Sequence, residues 1–280
     1  MNTADISKFI NIDSKNMKGW FYPADMISFW MLNEIQKALN MNGSVCEVGV
    51  FEGKSLSLLS QFCRGTEKAY GYDLFPDGMK DRAWDNIQKY GNPDCADLKA
   101  IDTSKITLES LKKELSNPCR FLHIDAGHEY HEVLHQLLLF CPFVARGGCL
   151  IMDDYQDREF PGIEAAVLDF SEIDRPRRFV PFFSGGNKMY LCEKNMASLY
   201  QKSLLKFEPV NGKSRVSRVR DFNILVGFSK LPVSAEACAR CLDQQEFPMA
   251  YESDLDSISR KAAQLSQITF GSGILIKQEI

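Results

Sequence analysis

The stretch Cys119-Arg-Phe-Leu-His123-Ile-Asp125-Ala-Gly-His128-Glu-Tyr-His131, continued after an apolar helix by Gly147-Gly-Cys-Leu-Ile-Met-Asp153-Asp154-Tyr155, decides the fold. An apolar strand run ends on an acid, a helix of about four turns follows, and a second apolar run ends on two acids. That is a βαβ unit with carboxylates at the ends of both strands, on the same edge of a sheet. Ligands of open parallel sheets bind outside those carboxyl ends. All four histidines (His123, His128, His131, His135) fall in this stretch, so it reads as a site, with metal binding as one use of it.

Upstream, the same rhythm repeats. Ala24 to Leu39 has helical spacing, with Met26, Ile27, Phe29, Trp30, Leu32, Ile35 and Leu39 apolar. Ser44-Val-Cys-Glu47-Val-Gly49 reads as a buried strand, and Gly53-Lys-Ser55 opens a helix to about Cys63. Ala69 to Tyr72 is a strand closing on Asp73, Asp77 to Tyr90 a helix, and Asp97 to Ile101 a strand closing on Asp102-Thr103. Leu108 to Leu115 is a helix stopped by Asn117-Pro118, whereas residues 1–22 read as polar and irregular.

Downstream, Pro161 to Phe170 starts a helix with proline near its front. Arg178 to Phe182 and Lys188 to Cys192 are strands joined by Ser184-Gly-Gly-Asn187, too short for a crossover, so they run antiparallel. The expected fold class is α/β: a doubly wound, Rossmann-like, seven-stranded sheet with an antiparallel terminal hairpin, occupying residues 1–195. From 196 to 280 the pattern changes to an α+β extension, expected to act as a lid or an oligomerisation element. Its strands are read at Phe207 to Val210, Arg218 to Phe228 and Gly273 to Lys277, and its helices at Ser234 to Leu242 and Asp254 to Ile268.

Apolar content of 45% and charged content of 25% are those of a soluble globular protein, and a net charge of −4 argues against nucleic-acid binding. Nine cysteines at irregular spacing suggest reduced thiols. With neither a leader-like start nor an apolar run long enough to span a bilayer, a cytoplasmic protein without membrane partners is expected.

The turn Glu47-Val-Gly49-Val-Phe-Glu-Gly53 reads either as an ordinary tight connection or as a loop that brings backbone N–H groups to a ligand. Glu47 would repel a pyrophosphate and welcome an ammonium or hydroxyl. Asp73, about twenty residues on, can accept both hydroxyls of a ribose or simply cap a helix. Taken together they favour a nucleoside-type cofactor, with Asp102 and Thr103 next along the edge.

Glu47-x-Gly49-x-x-x-Gly53, Asp73 and Asp102-Thr103 resemble the cofactor half of class I S-adenosylmethionine-dependent methyltransferases. The stretch from Phe121 to His131 with Arg146 to Tyr155 is similar to the metal-dependent small-molecule O-methyltransferases, both the catechol type and the macrolide-sugar and cephalosporin-pathway type. The resemblance covers about residues 20–193. It implies that Glu47, Gly49, Gly53 and Ser55 hold the methionine end of S-adenosylmethionine, Asp73 the ribose, and Asp102 and Thr103 the adenine, with Asp125 beside the cofactor. Asp125, Asp153 and Asp154 would bind Mg²⁺, and His128, where catechol enzymes carry a lysine base, would take a proton from a hydroxylated small molecule. Asp154 departs from the catechol type, which has asparagine there.

The metal has support independent of the family. Three carboxylates at adjacent strand ends are costly unless a cation or proton intervenes, and hard oxygen ligands suit Mg²⁺. His131 and His135, one turn apart, are half of a zinc site or, more simply, surface histidines; His123 reads as a core residue. Cys238-Ala-Arg-Cys241 has zinc or redox spacing, but with no second pair or nearby histidine it reads as one face of a helix. Lys213, Arg215, Arg218 and Arg220 read as the solvated face of an edge strand or as an anion grip. Trp20, Phe21 and Tyr22 are core anchors or pocket walls. Two other functions stay open: an iron- or zinc-dependent hydroxylase or hydrolase built on the His/Asp cluster, and a non-catalytic partner protein. A homodimer is compatible with the extension.

Overall fold

Successive side chains of a strand point to opposite faces, so the continuous apolar runs at 44–48 and 119–124 are buried on both faces, as a parallel sheet covered by helices requires. The strands are β1 (Ser44–Val48), β2 (Ala69–Asp73), β3 (Ala96–Ala100), β4 (Cys119–Ile124), β5 (Val144–Met152), β6 (Phe179–Gly185), β7 (Lys188–Glu193), β8 (Arg215–Val219) and β9 (Phe222–Val226). In this computed structural model, residues 3–115, 117–173, 178–207 and 214–227 are described. Among them, one sheet runs β3-β2-β1-β4-β5-β7-β6-β9-β8. β1 to β5 are mutually parallel, and β7 is antiparallel to both β5 and β6. The expected seven-stranded sheet is therefore present, and β9 and β8 extend it beyond β6.

The helices are α1 (Thr3–Asn11), α2 (Pro23–Ala38), α3 (Lys54–Ser60), α4 (Met79–Tyr90), α5 (Leu108–Glu114), α6 (Tyr130–Phe140), α7 (Pro161–Glu172) and α8 (Ala197–Leu204). On one face of the sheet, Cys46, Val48, Leu122, Ile124, Leu150 and Met152 pack with Leu111 of α5, Leu137 of α6 and Phe170 of α7. The opposite face presents Phe121, His123 and Tyr190 to Phe29 of α2, whose ring lies 4.9, 5.1 and 6.3 Å from theirs. The register pairs Glu47 with His123, so these two polar side chains share that second face. At the amino end of β4, fully buried Arg120 pairs with Glu67 and donates to Asn33 and Gln36, which meets the hydrogen-bonding needs of a charge in the interior.

Two expectations are corrected. Residues 3–11 are helical rather than irregular, because Ile6, Phe9 and Ile10 form a short apolar stripe that is buried. The single strand read from Arg218 is the hairpin β8–β9, turning at Arg220-Asp221 with Arg220 at φ +50°. Arg218 pairs with Asp221, and Arg220 reaches Asp169 and Glu172 of α7, so both are engaged by acids of this chain. These strands lie beyond 195/196 and continue the same sheet; all described residues belong to one compact unit, Met1–Asp243. Lys213, Cys238, Cys241, Glu208 to Val210 and the elements read beyond Gly227 fall outside the described residues.

Candidate functional site

At the carboxyl end of β1 the chain turns through Gly49, at φ +90°. A Cβ there would overlap the Asp125 carbonyl, so the ends of β1 and β4 can approach only if this residue is glycine. Asp73 at the end of β2 holds the turn. Its Oδ2 accepts from the N–H groups of Val50 (2.7 Å) and Phe51 (2.8 Å), and its Oδ1 from that of Phe75 (2.8 Å).

A cleft of about 550 Å³ opens beside this turn, along the ends of β1 to β4. Of the residues expected to hold a cofactor, Gly49, Asp73, Asp102, Thr103 and Asp125 line it. Glu47, Gly53 and Ser55 do not. Glu47 is directed into the sheet's second face, Gly53 caps α3 against Ala83, and Ser55 is buried within α3. His131 and His135, expected as bystanders, line the cleft from α6. Asp102 accepts from Ser104 N (3.0 Å) and Oγ (2.6 Å), and Lys105 lies 3.1 Å from it; these contacts hold its carboxyl below the usual range.

Behind the cleft runs a buried ionic chain. Glu47 Oε1 lies 2.7 Å from His123 Nδ1, and His123 Nε2 lies 3.2 Å from Asp153 Oδ2. Lys188 Nζ is 2.5 Å from that same oxygen and 3.9 Å from Asp25 Oδ2 of α2. Gly186, at φ +63°, makes the tight β6–β7 turn against the Asp25 carboxylate, where a Cβ would clash. Burial alone would lower the His123 pKa, but hydrogen bonds to Asp153 and Glu47 outweigh it and raise it to about 9. Burial would likewise push Asp153 up; Lys188 and His123 hold it below the carboxylate range. Asp25 is left raised by burial, which Lys188 only partly offsets.

The three aspartates expected as metal ligands therefore separate. Asp153 faces inward, with Oδ1 accepting the Asp154 N–H at 2.7 Å. Asp154, at φ +51°, faces the other way: Oδ2 lies 3.3 Å from His128 Nε2, and Oδ1 accepts from Asn187 Nδ2 at 2.9 Å. Ligating atoms of Asp125, His128 and Asp154 lie within 4.8 Å of one another, as do those of His123, Asp125 and Asp153. Burial and the charge of Asp153 push both Asp125 and Asp154 up, Asp125 strongly. The His128 ring stacks on Phe160 at 4.1 Å.

Lys188, Asp25 and Asn187 were not singled out from sequence. The available signal was a lysine opening the apolar run Lys188-Met-Tyr-Leu-Cys192, where the strand pattern predicts an inward side chain. The aromatic trio divides: Phe21 is buried against Phe29, Tyr22 is exposed, and Trp20, 74% exposed, leans on Phe51 of the glycine turn at 5.8 Å. No helix among the described residues is long and apolar enough to cross a membrane.

Residues 46–155 match the family model described as a methyltransferase domain. An uncharacterized protein, R132 of Acanthamoeba polyphaga mimivirus, is 31% identical over 125 residues, 43% of this chain and 56% of that protein. The chain thus matches little more than half the length of that relative. Similar solved structures include apo CalS11, a TDP-rhamnose 3'-O-methyltransferase of calicheamicin biosynthesis, at 15% identity, 68% of this chain, 93% of that one and a TM-score of 0.46. An O-methyltransferase from Bacillus cereus in complex with SAH shares 13% identity over 68% of this chain and 91% of that one, with a TM-score of 0.48. TomG of Streptomyces achromogenes, an O-methyltransferase of tomaymycin synthesis solved with SAM, shares 12% over 68% and 89%, with a TM-score of 0.49. The likeness to a methyltransferase domain thus lies in residues 46–155, the part of the chain from β1 to just past the end of β5.

Proposed function

We propose that this chain is an S-adenosylmethionine-dependent O-methyltransferase acting on a hydroxyl of a small molecule, assisted by a divalent cation. One observation carries the proposal: the cleft lined by Gly49, Asp73, Asp102 and Thr103 meets the Asp125–His128–Asp154 group at Asp125. A nucleoside binder and a proton- or cation-holding cluster therefore share one wall.

S-adenosylmethionine, when bound, supplies an electrophilic methyl group. Asp73 holds the glycine turn in shape and keeps lone pairs for a ribose, while Thr103 and the β3 end border the base. His128 Nε2, half-exposed and 3.3 Å from Asp154, is the proposed acceptor for the substrate hydroxyl proton. Phe160 fixes the ring plane by stacking. Positioning and charge balance are the chain's main contribution.

The donor set fits a hard divalent ion such as Mg²⁺. Asp125 and Asp154 are both pushed up by burial and by the neighbouring charge of Asp153, which nearby cations only partly offset, whereas Asp153 already has Lys188 and His123. Asp125 and Asp154 would hold the ion directly, with Asp153 orienting Asp154 through its backbone N–H. The ion would acidify a substrate hydroxyl beside it. Because an imidazole belongs to the same group, iron or zinc would also find a ligand there, as a hydroxylase or hydrolase would use.

Isothermal titration of the full chain with S-adenosylhomocysteine tests the cofactor, and labelled methyl transfer to catechols and sugars with and without chelator tests the reaction. Binding together with chelator-sensitive transfer is expected. No binding, or tightly held iron or zinc in the purified protein, would overturn the proposal.

A further inference from the structure

Gln136, midway along α6, is 5% exposed and lines the cleft. Its Nε2 donates to Thr103 Oγ1 at 3.3 Å, while its Oε1 is buried without a hydrogen-bond partner. The amide is confined on its other side by Gly127, where even a Cβ would come within 3.3 Å of Nε2. A buried carbonyl oxygen without a donor is disfavoured in the folded chain and is satisfied when a ligand brings one.

The surrounding groups define what that ligand must offer. Asp102 is turned to Ser104 and Lys105, and the Thr103 hydroxyl is already bonded to Gln136. The missing element is an N–H donor directed at Gln136 Oε1. The cleft's size suits a nucleoside, and with a ribose at Asp73 its base would extend past Thr103 toward α6. We propose that Gln136 Oε1 accepts the exocyclic amine of the cofactor's purine, which makes Gln136 the residue that selects a 6-aminopurine. The inference rests on the S-adenosylmethionine reading above.

The test compares S-adenosylhomocysteine with its analogue lacking the 6-amino group, titrated into the wild-type chain, Gln136→Met and Gln136→Glu. Wild type should bind the amino compound about tenfold more tightly, since a site built to pair a group discriminates against its absence. Gln136→Met should bind both alike, at the level of the analogue, and Gln136→Glu, which keeps an acceptor, should retain the preference. Wild-type affinities within about threefold of each other, or a preference that survives in Gln136→Met, overturn the assignment while leaving the cofactor reading intact. Failure of wild type to bind either compound overturns both. If circular dichroism shows that Gln136→Met is unfolded, the wild-type and Gln136→Glu titrations decide, and loss of preference in either one counts against the assignment.

Discussion

Lys188 Nζ lies 2.5 Å from Asp153 Oδ2, with side-chain exposures of 0% and 4%. A cation carried by the chain thus neutralises the carboxylate for which the sequence suggested a metal. Breaking such a pair from one side leaves a buried charge unmatched. Lys188→Met should therefore cost about 3–5 kcal/mol at neutral pH, read from urea denaturation. A cost below about 1 kcal/mol would mean that Asp153 is not held by this ammonium.

Stability should also depend on pH through His123, whose pKa rises from an ordinary 6.5 to about 9 in the folded chain. Its contribution is complete below pH 6.5 and is lost as pH rises through 9. The amount involved is on the order of 3 kcal/mol. Denaturation midpoints of wild type and His123→Asn, followed from pH 6 to about 9.5, isolate it: the difference between the two should shrink with rising pH. A constant difference would show that His123 is not protonated in the folded state.

Asp73 anchors the glycine turn through Val50 and Phe51 N–H groups, at 2.7 and 2.8 Å. Asp73→Ala should raise hydrogen-exchange rates at those two amides by at least about tenfold, the equivalent of one lost charge-assisted hydrogen bond. S-adenosylhomocysteine affinity should fall with it. Unchanged exchange would mean that the turn is held by other contacts.

Asp154→Ala removes an outward-facing carboxylate without touching the Lys188 pair. Divalent-ion affinity, measured by titration with Mn²⁺, should drop at least about tenfold, while the urea midpoint changes little. Equal affinity in the variant would place the ion elsewhere. His128→Gln separates the histidine's two uses: a large loss of methyl transfer with ion affinity kept identifies a proton acceptor, and loss of both identifies a ligand.

Much of this was already set in the chain's order of residues. Apolar runs ending on Asp73, Asp125 and Asp153, spaced by helical segments, fixed a doubly wound sheet because strand and helix periods are local properties. The glycine turn and the acids at the strand ends were legible for the same reason: βα units deliver strand ends to one edge. Less was visible where the signal was short or unusual. The apolar stripe of α1 spans few turns, and Arg220-Asp221 lacks the glycine or asparagine that announces a hairpin.

Which way each acid faces was decided only in three dimensions. Asp153 and Asp154 are adjacent in sequence, yet one turns to Lys188 and the other to His128, because Asp154 adopts a left-handed backbone conformation. Glu47 reads as a cofactor contact until the β1–β4 register sets it beside His123. Lys188 lies 35 residues beyond Asp153 and Asp25 far before it; their meeting depends on β7 inserting antiparallel next to β5 beneath α2. Sequence determined the edge at which charges gather, since that follows from local periodicity. Only the tertiary structure decided which charges neutralise one another, since that depends on strand register and on burial.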